Sequence, residues 1–172
     1  MQNSNVFASA DWQGSAVGGA FLESKTTGPF GGKNDHTLAL GFEASYLGWT
    51  PFGFRLAHYQ GSQSPFPSIT SLSVLLQGEI FKFRPQAGIG FGIGSYRKYI
   101  NQSSGGGSTT VSDGRNTKAA YDLSVGLDYE IAAGLGLGIA YHFLGSGINV
   151  GESSREIDAV GSLPLIKCFF NF

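Results

Sequence analysis

Alternation with a period of two runs through this chain and constrains its fold more than any other feature. Leu38, Leu40, Phe42, Ala44 and Tyr46 alternate with Ala39, Gly41, Glu43 and Ser45. Phe83, Pro85, Ala87, Ile89, Phe91 and Ile93 alternate with Arg84, Gln86, Gly88, Gly90, Gly92 and Gly94. In the last stretch, Pro164, Ile166, Cys168, Phe170 and Phe172 alternate with Leu163, Leu165, Lys167, Phe169 and Asn171. Successive side chains of a strand point to opposite faces, so each stretch reads as a strand with two unlike faces. One face is apolar and almost free of charge; the other carries small and ionisable residues.

The same reading extends to eight segments: residues 6–22, 38–46, 52–59, 71–80, 83–94, 121–130, 135–143 and 157–172. The first is the least regular. It favours Ala8, Ala10, Trp12, Ala16, Ala20 and Leu22 on one face, with Phe7, Val17 and Phe21 on the other, so its register stays open. Connections alternate between long and short. Short turns fall at Gly48-Trp49-Thr50-Pro51, Phe81-Lys82 and Ala132-Ala133-Gly134. The longest connection, residues 99–118, holds Gly105-Gly106-Gly107 and Asp113-Gly114 and reads as a flexible loop. An even strand number with loop lengths that alternate this way predicts an all-β fold, an eight-stranded antiparallel up-and-down transmembrane β-barrel. A soluble barrel would put its apolar face inside and its charge outside, with no reason to keep all long loops at one end.

Composition agrees. The 172 residues suffice for a single domain spanning 1–172. Only 13% are charged, against about 25% in soluble domains. A net charge of -1 argues against a nucleic-acid partner. No apolar run approaches the ~20 residues of a membrane helix, but barrel strands need only ~9–11. The N-terminal residues lack a charged start and an apolar stretch, so no secretion signal is present: either it has been removed or the protein is cytosolic. Cys168 is the only cysteine, which excludes an internal disulfide. Aromatics gather at the segment ends. Trp49, Phe52, Phe81, Phe83 and Tyr129 lie near the short turns; Tyr96, Tyr99, Tyr121, Tyr141 and Phe143 lie near the long loops. Two such girdles suit two membrane interfaces.

The terminal Phe170 and Phe172, the run Arg84-Pro85-Gln86-Ala87-Gly88-Ile89-Gly90-Phe91-Gly92 and Leu127-Asp128-Tyr129 give the chain a family likeness. It resembles the OmpA-type small eight-stranded outer-membrane β-barrels of Gram-negative bacteria along essentially its whole length. The resemblance implies a bacterial outer-membrane location with periplasmic termini. It implies contact with outer-membrane lipid and lipopolysaccharide, and recognition of Phe170 and Phe172 by the barrel assembly machinery. A monomer without cofactors is expected.

Candidate chemistry sits on the small, ionisable face. Glu43 and Arg55 bracket the first short turn and should meet across a hairpin; Glu79 and Arg84 bracket the second. Asp128, Glu130 and Lys167 lie at comparable depth, and Lys167 should tie the last strand to both acids. Charges inside a narrow barrel pair to avoid isolated burial, and the same cluster could gate ions. Gly88, Gly90, Gly92 and Gly94 should leave a bare stripe on the inner wall, filled by Tyr59, Leu165 or Phe169. Because they alternate within a strand, they do not form a nucleotide-binding loop. The resemblance also admits an outer-membrane lipid-modifying enzyme with a serine, a histidine and an acid on its wall. His58 is placed outward and His142 inward near Asp122, but no serine and acid accompany His58 at strand spacing. The function expected is therefore a non-enzymatic outer-membrane barrel, structural or surface-interacting through its long loops. A lipid or small hydrophobic-ligand binder is the alternative. Arg97, Lys98, Arg115 and Lys118, near the base of the longest loop, suit anionic lipid phosphates.

Overall fold

Period-two patterning produces strands throughout the described residues. The computed structural model describes residues 11–22, 37–61, 68–104, 107–146 and 159–172. The strands are β1 (Trp12–Phe21), β2 (Thr37–Trp49), β3 (Phe52–Gly61), β4 (Ser68–Gln77), β5 (Phe83–Ser104), β6 (Gly107–Ala132), β7 (Leu135–Ser146) and β8 (Ala159–Asn171). Each pairs antiparallel with its neighbours in chain order, and β8 returns to β1 to close a barrel. Closure removes both sheet edges, so no row of backbone donors and acceptors is left unpaired. The expected eight-stranded antiparallel barrel is the observed fold.

Register resolves the first strand. Gln13, Ser15, Val17 and Phe21 point inward and are buried, whereas Trp12 and Ala16 are exposed. The outward positions of β1 include Gly14, Ala16, Gly18 and Ala20, too small to mark an apolar face in the sequence. Residues 6–10 of the expected segment lie outside the described residues.

The faces follow the alternation. Leu38, Leu40, Phe42, Ile89, Phe91, Ile139 and Ile166 are among the large apolar side chains left exposed, Leu40 at 63% and Ile166 at 69%. The inward residues include Glu43, Arg55, Asp122, Asp128, His142 and Lys167, each at most 2% exposed. This arrangement inverts that of a soluble barrel. Its apolar exterior suits hydrocarbon rather than water.

Short turns close one end. The turn after β4 carries Phe81 in the left-handed region (φ 57°), and the turn after β6 uses Gly134 (φ 79°), where glycine fits without strain. At that end Trp12, Tyr46, Trp49 and Phe54 form a chain of edge-on ring contacts 5.1–5.8 Å apart.

The opposite end departs from expectation. Residues 99–118 are not a loop; β5 and β6 continue as a ladder from Phe83↔Tyr129 up to Ser104↔Gly107, with one irregularity between Arg97 and Tyr99. Residues 105–106 lie outside the description. The glycine and serine content concealed β-formers that sit opposite each other, such as Ile100 against Val111.

Candidate functional site: a buried charge network in the lumen

Inward parity brings polar side chains from all eight strands together inside the barrel. Arg55 on β3 is at the centre. Its Nη2 donates to Ser124 Oγ at 2.7 Å and lies 3.5 Å from Asp122 Oδ2, while Nη1 lies 4.0 Å from Glu43 Oε1. Glu43 and Arg55 are not direct partners in the ladder: Glu43 is opposite Ala57, and Arg55 is opposite Ser45. The nearer acid to Arg55 is therefore Asp122, across the lumen on β6.

Around this core the network is dense. Tyr59 Oη donates to Glu43 Oε1 at 2.7 Å. His142 Nδ1 lies 2.8 Å from Asp122 Oδ1, and Nε2 lies 3.6 Å from Glu43 Oε1. Ser71 Oγ donates to Asp122 Oδ2 at 3.0 Å. Lys167 Nζ lies 2.7 Å from Asp128 Oδ1 and 3.9 Å from Glu43 Oε2, which joins this group to a second one. There Gln13 and Gln86 donate their amides to Asp128 Oδ2 at 3.2 and 2.9 Å.

One sequence-predicted residue, Glu130, lies apart. Glu130 does not meet Lys167; its Oε1 accepts the backbone N–H of Gly134 at 3.0 Å and holds the β6–β7 turn. Two positions further along β6 than Asp128, it is beyond the reach of Lys167, which sits opposite Gly138 on β7. Arg84 Nη2 meets Glu79 Oε1 at 3.3 Å beside the β4–β5 turn, where the Glu79 side chain is 41% exposed. Sequence reasoning omitted Asp122, Tyr59, Gln13 and Gln86 from this cluster. Their inward parity was the available signal.

The glycines provide the space. A Cβ at Gly41 would strike Tyr59, at Gly19 Leu165, at Gly136 Phe169, and at Gly138 the Lys167–Asp128 pair. Each large inward side chain thus lies over the glycine directly opposite it in the ladder. The stripe of β5 is not filled by Tyr59, Leu165 and Phe169, as the sequence suggested. Gly88 faces Leu75, Ser124 and Arg55, and Gly90 faces Ser73. Cross-strand neighbours fill it because they are the nearest inward groups.

Toward the long-loop end, the interior turns apolar. Phe21, Ala39, Ile69, Ala120, Leu144 and Leu163 pack into one buried cluster. These described side chains pack across the interior, in keeping with the small radius of eight strands.

Among the described residues, this cluster does not assemble a serine, a histidine and an acid in hydrogen-bond sequence. The hydroxyl groups beside the His142–Asp122 pair belong to Ser71, which donates to the acid, and to Tyr59, which donates to Glu43. None is a serine activated by the imidazole, and the histidine is fully buried. His58 is half-buried, its Nδ1 2.8 Å from Thr70 Oγ1. On the outer wall a shallow depression lined by Phe52, Val74, Leu76, Ala87 and Ile89 has no ionisable group. Phe170 and Phe172 face outward with rings 6.3 Å apart, and the Phe172 backbone pairs with Trp12. Cys168 is exposed on the same face.

No protein-family model matches the sequence, and no curated protein is similar to it in sequence. Solved structures are similar in fold. The N-terminal β-barrel domain of Pseudomonas aeruginosa OprF superposes with a TM-score of 0.61 at 13% identity, covering 95% of this chain and 98% of that one. Neisserial surface protein A gives 0.62 at 14%, covering 94% and 96%. Ail of Yersinia pestis, crystallised with the heparin analogue sucrose octasulfate, gives 0.54 at 13%, covering 92% and 97%. Closed topology, inverted faces and these superpositions together show that the chain has the fold of the small, OmpA-type eight-stranded outer-membrane β-barrels.

Proposed function

We propose that this chain is a non-enzymatic barrel of the bacterial outer membrane, with a structural or surface-interacting role exerted from its long-loop end. The observation that carries the reading is the inversion of the wall. Leucine, isoleucine and phenylalanine cover the exterior, while Glu43, Arg55, Asp122, Asp128 and Lys167 are buried and paired within. In water such an exterior would aggregate; in hydrocarbon it is the stable surface. Short turns, the start of β1 and the end of β8 lie at one rim, which is the periplasmic rim in this reading. The solid interior leaves the wall and the opposite rim as the places where a partner is met. Phe170 and Phe172, exposed at the closing strand, are the residues through which the assembly machinery would recognise the chain.

Refolding into phosphatidylcholine vesicles tests the location. The folded chain should migrate differently on gels before and after boiling, and its strands should resist protease. Cys168 should react with a lipid-soluble maleimide and resist a water-soluble one. Rapid labelling by the water-soluble reagent, or complete digestion in the presence of vesicles, would refute the membrane reading.

A further inference from the structure

We propose that His58 and Thr70 form a site on the outer wall that takes the ester carbonyl of a bilayer lipid. This rests on the outer-membrane reading above and names a partner for the wall. The two residues are direct partners in the β3–β4 ladder. Phe42 is opposite His58 on β2, and Ile93 is opposite Thr70 on β5. One outward row across four strands therefore runs phenyl, imidazole, hydroxyl, alkyl. Phe42 and Ile93 are 56% and 57% exposed, which marks the row as lipid-facing. The described outward positions of β1 to β4 hold no other histidine and no carboxylate, ammonium or guanidinium. An ionisable side chain at the lipid boundary is costly unless polar partners meet it, and its presence there marks a functional position.

Hydrogen bonding within the row leaves one such partner to be supplied. His58 Nδ1 is 2.8 Å from Thr70 Oγ1. When the hydroxyl donates to Nδ1, a single contact uses both the hydroxyl proton and the ring's lone pair. The reverse direction would strand the hydroxyl proton and a lone pair on Nε2. The first arrangement leaves fewer polar groups unmet, and it puts the ring N–H on Nε2. The imidazole lies 5.5 Å from the Phe42 ring with the planes only 30° apart, so this N–H runs alongside the phenyl ring and not into its face. Among the described residues, Nε2 of His58 has no hydrogen-bond partner.

Depth selects the acceptor. The next outward pair toward the short turns is Leu56↔Leu72, 47% and 59% exposed. The next toward the long loops is Gln60↔Ser68. The row thus lies where the wall changes from alkyl to polar. Ester carbonyls occupy the matching boundary of a bilayer, between the hydrocarbon core and the headgroups. A carbonyl oxygen accepts one N–H and requires no charge on the protein.

Native mass spectrometry tests the site, with the refolded barrel in alkyl-glycoside micelles doped equally with a diester phosphatidylethanolamine and its diether analogue. The two lipids share headgroup and phosphate and differ in the carbonyls. The unmodified chain should retain the diester about fivefold over the diether, the effect of one hydrogen bond. His58→Phe, which keeps an aromatic ring beside Phe42, should lose that preference, and Thr70→Val should reduce it. Ile139→Leu, on the opposite wall, should keep it. Equal retention of the two lipids by the unmodified chain would overturn the proposal, whether or not any variant folds. So would a folded His58→Phe variant that keeps the preference, or a Thr70→Val variant that keeps it in full. A dimer that His58→Phe dissolves, with both lipids held equally, would assign this face to a second copy of the chain instead. Protease protection in vesicles reads the membrane location separately, so failure of the site and failure of that reading are distinguishable.

Discussion

Arg55 shows how one residue is bound into a barrel interior. A guanidinium 2% exposed has lost its water and regains partners from two other strands: Glu43 on β2, and Asp122 and Ser124 on β6. Such a group tolerates deletion of a partner poorly, because an uncompensated buried charge remains, at about 3–5 kcal/mol. Arg55→Ala and Asp122→Ala should each destabilise the barrel on that scale, and the double variant should fall short of their sum by more than about 1 kcal/mol. Urea titration of refolded protein in micelles measures the cycle. The same cycle through Glu43 should give a smaller coupling, since Glu43 lies 4.0 Å from Arg55 and also engages Tyr59. Additive losses for Arg55 and Asp122 would remove the pairing. Sequence parity placed both inside but did not reveal that they meet. The contact crosses the lumen from β3 to β6, and that distance depends on tilt and stagger, which no local pattern encodes.

At the scale of the strand, legibility depended on contrast between the two faces. β2, β5 and β7 declared themselves because large apolar residues faced glycine or charge. β1 did not, because its outward Gly14, Ala16, Gly18 and Ala20 are hardly larger than the inward Ser15 and Gly19. The stem of β5 and β6 was masked for a related reason. Its serine, threonine and glycine read as loop, and only pairing across the hairpin makes it strand. The glycines of β5 yield a testable distinction. A methyl group at Gly88 would meet the mobile ends of Leu75 and Ser124, whereas one at Gly92 would meet the carbonyl oxygen of Thr70 and the Ser71 backbone. Side chains can yield and a paired backbone cannot. Gly88→Ala should therefore fold with a loss below about 1 kcal/mol, and Gly92→Ala should lose about 1–3 kcal/mol or fail to fold. Gel mobility before boiling, with urea midpoints, would rank them. The reverse order would show that the strands are spaced differently from this register.

For the whole molecule, the decisive property is that the interior is divided along its axis. Ionisable groups crowd the middle and the short-turn end, and Phe21, Ile69, Leu144 and Leu163 fill the section beneath the long loops. An ion entering from the short-turn side would find paired charges and then a layer whose described residues are mainly apolar and offer little to replace its hydration, the kind of constriction that blocks conduction even when narrow fluctuations occur. Planar bilayers holding the refolded barrel should therefore show no steady channels. The layer, more than the charge pairs, sets the block. Replacing Phe21 and Leu163 with serine should allow brief, small openings, whereas Arg55→Ala should not, because it leaves the apolar section in place. Folding of both variants is checked by gel mobility. Steady conductance in the unmodified chain, or openings in Arg55→Ala but not in the serine variant, would transfer the barrier from the apolar layer to the charge network.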